Sequence, residues 1–210
     1  MPVYANALID IVGLVIVIIV MFADRRIALP ARESQPVFRV LLGLITCILL
    51  FDIPAWLLDG SVFPGARILC YTLDTLYYLC QIVYCYFWLL FSDGWNRRPG
   101  MGQIRRKRLY ALPMLLELAV ILLNPLTGWV FTIGADNVYV RGTYYLLNLI
   151  PYYLYITGSI GLTVWGFLAT KEAEGKRQSL SLIVFMSLPL CGVALETVFY
   201  GVSWIWPFTA

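Results

Sequence analysis

The sequence predicts an all-α fold, a polytopic membrane helix bundle of six spans with one short extracytoplasmic β-hairpin between the fourth and fifth. Three observations predict it. The 210 residues are 61% hydrophobic and only 13% charged, with a mean hydropathy of +0.81, whereas ordinary globular domains are about half apolar and a quarter charged. The apolar residues gather in six runs, each close to the roughly 20 residues needed to cross about 30 Å of hydrocarbon. The basic residues form short clusters between those runs. That is a topology signal, not the broad basic face a nucleic acid would need.

The first run, about 5–22, is followed and not preceded by Arg25 and Arg26. A secretory signal peptide carries its charges on the other side, so the run reads as a true span inserted with its N-terminus outside. Further spans are expected over about 40–58, 68–91, 109–126, 143–170 and 180–200. Pro54, Pro113, Pro151 and Pro189 begin or interrupt them, which neighbouring helices in a membrane bundle accommodate. The loop 128–142 reads GWVFTIGADNVYVRG. Two β-prone stretches, Trp129 to Ile133 and Val138 to Arg141, flank Gly134, Ala135, Asp136 and Asn137, and turn formers between residues of period two are hairpin grammar. The competing reading is a plain interfacial loop with Trp129 and Tyr139 at headgroup level. After Tyr200 come the residues GVSWIWPFTA, apolar and Trp-rich like the start of a seventh helix cut short. Residues 1–210 thus read as a single transmembrane domain whose first partner is the lipid bilayer.

Orientation follows from the basic residues. The first, third and fifth connections carry Arg25, Arg26, Arg32 and Arg39, then Arg97, Arg98, Arg105, Arg106, Lys107 and Arg108, then Lys171, Lys176 and Arg177. These are thirteen of the fifteen, leaving Arg67 and Arg141 for the opposite side. The positive-inside rule then places those three connections in the cytoplasm and the N-terminus outside.

Little in the chain suggests covalent chemistry. Histidine is absent, which removes the commonest metal ligand and general base. Cys47, Cys70, Cys80, Cys85 and Cys191 all lie in apolar runs without CxxC spacing, so neither a disulfide framework nor a zinc site is implied. No span holds a lysine for a retinal Schiff base. No nucleophile–base pair or nucleotide motif is evident, and the chain reads as no enzyme, with no cofactor, no metal and no nucleic-acid partner.

The informative groups are five intramembrane acids, Asp10, Asp52, Asp74, Glu117 and Glu196, because a carboxylate in a span is costly and by default marks function. At 1.5 Å per residue, Asp10, Asp52, Asp74 and Glu196 each sit about 6–9 Å below the outer helix end, and Glu117 alone falls near the midplane. Four helices would bring a carboxyl to one shallow outer layer, with Tyr71, Tyr78, Tyr144 and Tyr152 as further lining. The functional reading is a polar, outward-open pocket built from Asp52, Asp74, Glu196 and Arg141, with Trp129 in its lid. The plainer reading is that each acid bonds a neighbouring hydroxyl near the interface, where burial costs less.

The stretch NPLTGWVFTIGADNVYVRGTYYLLNLIP, Asn124 to Pro151, with the third-span LDTLYYLCQIVYCYFWLLFSD and the final LETVFYGVSWIWP, resembles the multi-span N-terminal sensor module of bacterial signalling proteins. The resemblance covers about 130 residues from the third span onward and rests on patterns, not on a catalytic motif. It implies the bacterial cytoplasmic (inner) membrane. It also implies an unknown small extracytoplasmic ligand, and an output beyond Ala210, a GGDEF diguanylate cyclase or a histidine kinase, through which the protein would form a homodimer. The expected function is therefore a sensory input. A small transporter is the first alternative, motivated by the proline-broken spans and the midplane Glu117. A partner-dependent membrane assembly protein is the second.

Overall fold

The structure, a computed structural model, describes residues 3–26, 35–96, 103–171 and 173–198. It contains α1 (Val3–Arg26), α2 (Gln35–Leu58), α3 (Ala66–Asn96), α4 (Gln103–Thr127), the strands β1 (Phe131–Ile133) and β2 (Tyr139–Arg141), α5 (Tyr145–Ala169) and α6 (Ala173–Val198). Each of the six apolar runs forms a helix over most of its described residues, because a helix satisfies every backbone group internally. Most helices overrun the apolar runs by a few residues, since polar ends can continue a helix into the headgroup layer. The expected start of a seventh helix lies outside the described residues.

On α1 and α5 the buried face carries polar residues while apolar ones face outward. The buried stripe of α5 is Asn148, Tyr152, Tyr155, Ser159, Thr163 and Gly166, while Leu146, Leu147, Ile150, Leu154 and Leu168 point outward. On α1, Asn6 and Asp10 are buried and Leu8, Val12, Ile16 and Ile19 are exposed. Water would reverse this arrangement; hydrocarbon favours it. The segments Tyr4–Asp24, Gln35–Leu58, Ala66–Trp95 and Arg105–Thr127 are each long and apolar enough to cross a membrane. The chain is a membrane protein.

Helix α3 is central. It packs against α2, α4, α5 and strand β1, while α1 leans on α2 and α6 on α5. Ile48, Leu49, Ile82 and Ile121 are fully buried around it. The loop between α2 and α3 meets the hairpin at one end of the bundle, where the Gly60 amide donates to the Asn137 carbonyl at 3.0 Å. At the opposite end Arg39 pairs with Asp24 at 2.9 Å and Arg106 with Asp93 at 3.4 Å, tying α1 to α2 and α3 to α4.

Proline opens a weak point in α4, which runs through it as one helix. Pro113 cannot donate a helical hydrogen bond, and at that turn the Tyr155 hydroxyl of α5 enters the backbone ladder. It accepts from the Met114 amide at 2.9 Å and donates to the Tyr110 carbonyl at 2.6 Å. In a regular helix Met114 would donate to Tyr110 directly. A side chain of one helix thus completes the backbone of another.

The hairpin is antiparallel with Phe131 opposite Arg141, Thr132 opposite Val140 and Ile133 opposite Tyr139. Its turn closes through Gly134 donating to the Val138 carbonyl at 2.9 Å, with Asn137 at φ +60°, a left-handed conformation that asparagine tolerates. The strands are shorter than the sequence suggests. The Val130 amide is diverted to a helix side chain, and the Trp129 carbonyl accepts from Tyr144 at 2.9 Å, so regular pairing starts only at Phe131.

Candidate functional site

The hairpin is anchored from three sides. Asn124, fully buried near the end of α4, accepts from the Val130 amide at 2.8 Å and the Phe131 amide at 3.3 Å, and donates to the Phe131 carbonyl at 2.9 Å. Helix α3 offers the Tyr71 hydroxyl to the Ile133 amide at 3.2 Å, and its Tyr78 hydroxyl meets that of Tyr139 at 2.6 Å. From the α2–α3 loop, the Asp59 carboxylate accepts the Tyr139 amide at 2.8 Å and the Ser61 carbonyl accepts the Asn137 side-chain amide at 2.7 Å.

An aromatic stack fills the space beneath. The fully buried Phe131 ring lies between Tyr78 and Tyr139, with centroids 5.5 and 5.7 Å away, and tilts against Tyr71 at 5.7 Å. Burial pushes the Tyr139 phenol well above its ordinary pKa, opposed in part by its bond to Tyr78, so it stays a neutral hydrogen-bonding group at any physiological pH. Glycine is required where the hairpin rejoins the bundle. A Cβ at Gly142 would collide with the Trp129 and Gly128 carbonyls.

Three of the residues singled out in the sequence lie at this end. Arg141 lies over the Tyr145 ring, 4.4 Å from its centroid, and Trp129 is set edge-on to Tyr144 at 6.0 Å. Asp74 is half-buried on α3, and its charge and that of Arg141 both act on Tyr139. Asp10 and Asp52 are buried on α1 and α2, each engaged by a neighbour. Glu196 falls on α6, but its side chain lies outside the described residues. A cation, two carboxyls (Asp59 and Asp74) and several phenols therefore stand around an aromatic floor. Such a set can bind by charge and hydrogen bonding. Among the described residues no group of three metal-ligating side chains occurs.

Deeper in the bundle Glu117 is buried near the middle of α4, and Asn148 and Tyr152 are buried one helical turn apart on α5. The Tyr152 hydroxyl lies within electrostatic reach of Glu117, of Cys85 on α3 and of Asn148. Asn148 and Tyr152 stand close without the geometry of a hydrogen bond.

Sequence reasoning missed Asn124, Asp59 and Asn148. Polar residues inside apolar helices were the available signal for Asn124 and Asn148, since such groups are held by specific partners. Neither a known protein family, a curated protein nor a solved structure matches the chain.

Proposed function

We propose that the chain is a membrane-embedded sensory input module of the bacterial cytoplasmic membrane. It spans the bilayer six times with its N-terminus and hairpin outside. A small extracytoplasmic ligand binds among Asp52, Asp74, Glu196, Arg141 and Trp129, and the hairpin relays that event to a cytoplasmic output of the diguanylate cyclase or histidine kinase kind. The single observation that carries this reading is the attachment of one short hairpin to three elements at once, through Asn124 of α4, Tyr71 and Tyr78 of α3, and Asp59 and Ser61 of the α2–α3 loop. A ligand that lifts or seats such a lid must change how those helices sit relative to one another. It shifts the equilibrium by its differential affinity for the two arrangements.

The relay is tested by cutting lid tethers. The double variant Asp59→Ala, Tyr71→Phe of the full chain, in lipid nanodiscs, is compared with the unaltered protein by hydrogen–deuterium exchange. The reading expects altered exchange both in the hairpin and at the far end of the bundle, around 103–108 and 173–177. Changes confined to 128–142 would remove the relay.

A transporter remains the second reading, on one observation: α4 carries Pro113 inside the helix, one turn from the buried Glu117. Solute uptake by proteoliposomes that is abolished by Glu117→Gln would put it first.

A further inference from the structure

We propose that Glu117, Asn148 and Tyr152 form a binding site for a hard monovalent cation such as Na⁺, inside the bundle between α3, α4 and α5. The site is distinct from the hairpin end, and it does not depend on the sensory reading.

The first support is a set of buried polar atoms with no partner in the protein. Glu117 is 5% exposed, Asn148 3% and Tyr152 6%. The Glu117 Oε1, both the Oδ1 and Nδ2 of Asn148 and the Tyr152 hydroxyl are all sealed from the surface without a hydrogen-bond partner. Protein interiors leave few such groups orphaned, and a local concentration of them calls for an occupant. These three belong together. Asn148 and Tyr152 share one face of α5, and the Tyr152 hydroxyl lies within electrostatic reach of Glu117 on α4.

Charge supplies the second support. Among the described residues no Lys or Arg pairs with Glu117. The basic residues of α4, Arg105 to Arg108, lie three turns toward the helix end. A carboxyl in low dielectric either holds its proton or needs a compensating positive charge, and an ion that replaces the proton can bring that charge.

The donor chemistry then selects the ion. A carboxylate, an amide carbonyl and a phenol present oxygen alone, which suits hard cations over the softer transition metals. One carboxylate balances one charge, so a monovalent ion leaves the site neutral, whereas Ca²⁺ or Mg²⁺ would leave net charge in hydrocarbon. The position has a structural consequence. Glu117 lies one turn beyond Met114, where the Tyr155 hydroxyl bonds the α4 backbone, so the ion would join α4 to α5 beside that contact.

The test uses the full chain in nanodiscs of zwitterionic lipid. Its thermal unfolding is followed in NaCl and in N-methylglucamine chloride at equal ionic strength, with ²³Na line broadening as a direct readout of binding. The proposal expects the melting temperature to rise with Na⁺ and not with the bulky cation, as ligand linkage requires. Glu117→Gln should lose both the dependence and the broadening. Tyr152→Phe, which removes one oxygen and no charge, should move the Na⁺ midpoint upward by roughly tenfold. Should Glu117→Gln not fold, Tyr152→Phe and the ²³Na signal decide. A melting temperature indifferent to Na⁺, Li⁺ and K⁺ with no ²³Na broadening would overturn the site, as would an unchanged Na⁺ response in both variants.

Discussion

Replacing Asn124 by alanine isolates the strongest single tether of the hairpin. The side chain is fully buried and makes three hydrogen bonds, to the Val130 amide at 2.8 Å, the Phe131 amide at 3.3 Å and the Phe131 carbonyl at 2.9 Å. Val130 and Phe131 are themselves sealed, at 1% and 0% exposure, so water cannot reach the groups left behind. Each buried donor or acceptor stranded in this way costs about 1–3 kcal/mol. Counting only the two shorter bonds, the docked hairpin should lose about 2–6 kcal/mol, and the lower bound already corresponds to a roughly 30-fold larger open population. Hydrogen–deuterium exchange of the full chain in nanodiscs measures this at the amides of Val130 and Phe131, with the middle of α3 as an internal standard. Exchange at Val130 and Phe131 within threefold of the unaltered protein would refute the clamp.

Further outcomes follow from the same contacts. Phe131→Ala empties the aromatic stack between Tyr78 and Tyr139 and should lower stability by about 3–5 kcal/mol, read as unfolding by SDS titration with circular dichroism. Gly142→Ala forces a methyl group against the Trp129 and Gly128 carbonyls; a cost of about 1–3 kcal/mol and faster exchange confined to 128–142 are expected, and an undisturbed hairpin would show that the backbone yields. Tyr155→Phe withdraws the hydroxyl spliced into α4. Because the Tyr110 carbonyl and Met114 amide can then approach each other, the loss should be only about 1–2 kcal/mol, with exchange at Met114 raised; a loss above 4 kcal/mol would mean that they cannot.

The helices were legible because hydrocarbon imposes one demand on every span, and the run from Leu41 to Phe51 or from Ile11 to Phe22 meets it without help from neighbours. The hairpin was legible for a local reason as well. Gly134 to Asn137 carry turn chemistry that no helix would keep. Site geometry was a different matter. Counting residues gives the height of an acid along its helix but not the direction it faces. Asp10, Asp52 and Asp74 have similar expected depths; the charge of Asp74 acts on Tyr139 of the hairpin, while Asp10 and Asp52 are buried on α1 and α2. Asn124 escaped notice because its role depends on residues six and seven positions ahead folding back over it. Tyr155 was invisible in principle: Pro113 marks a weak point in α4, but nothing local says which helix meets it.

The central claim is a bundle that presents its hairpin to the outside and its basic connections to the cytoplasm. Single cysteines at Asp136, Lys107 and Lys176 (Asp136→Cys, Lys107→Cys and Lys176→Cys) test it directly, using a membrane-impermeant maleimide on intact bacteria and after permeabilisation. The account predicts labelling at position 136 in intact cells, and at 107 and 176 only once the membrane is opened. Labelling of all three from the same side would contradict the topology and, with it, the sensory reading built on an outward-facing hairpin.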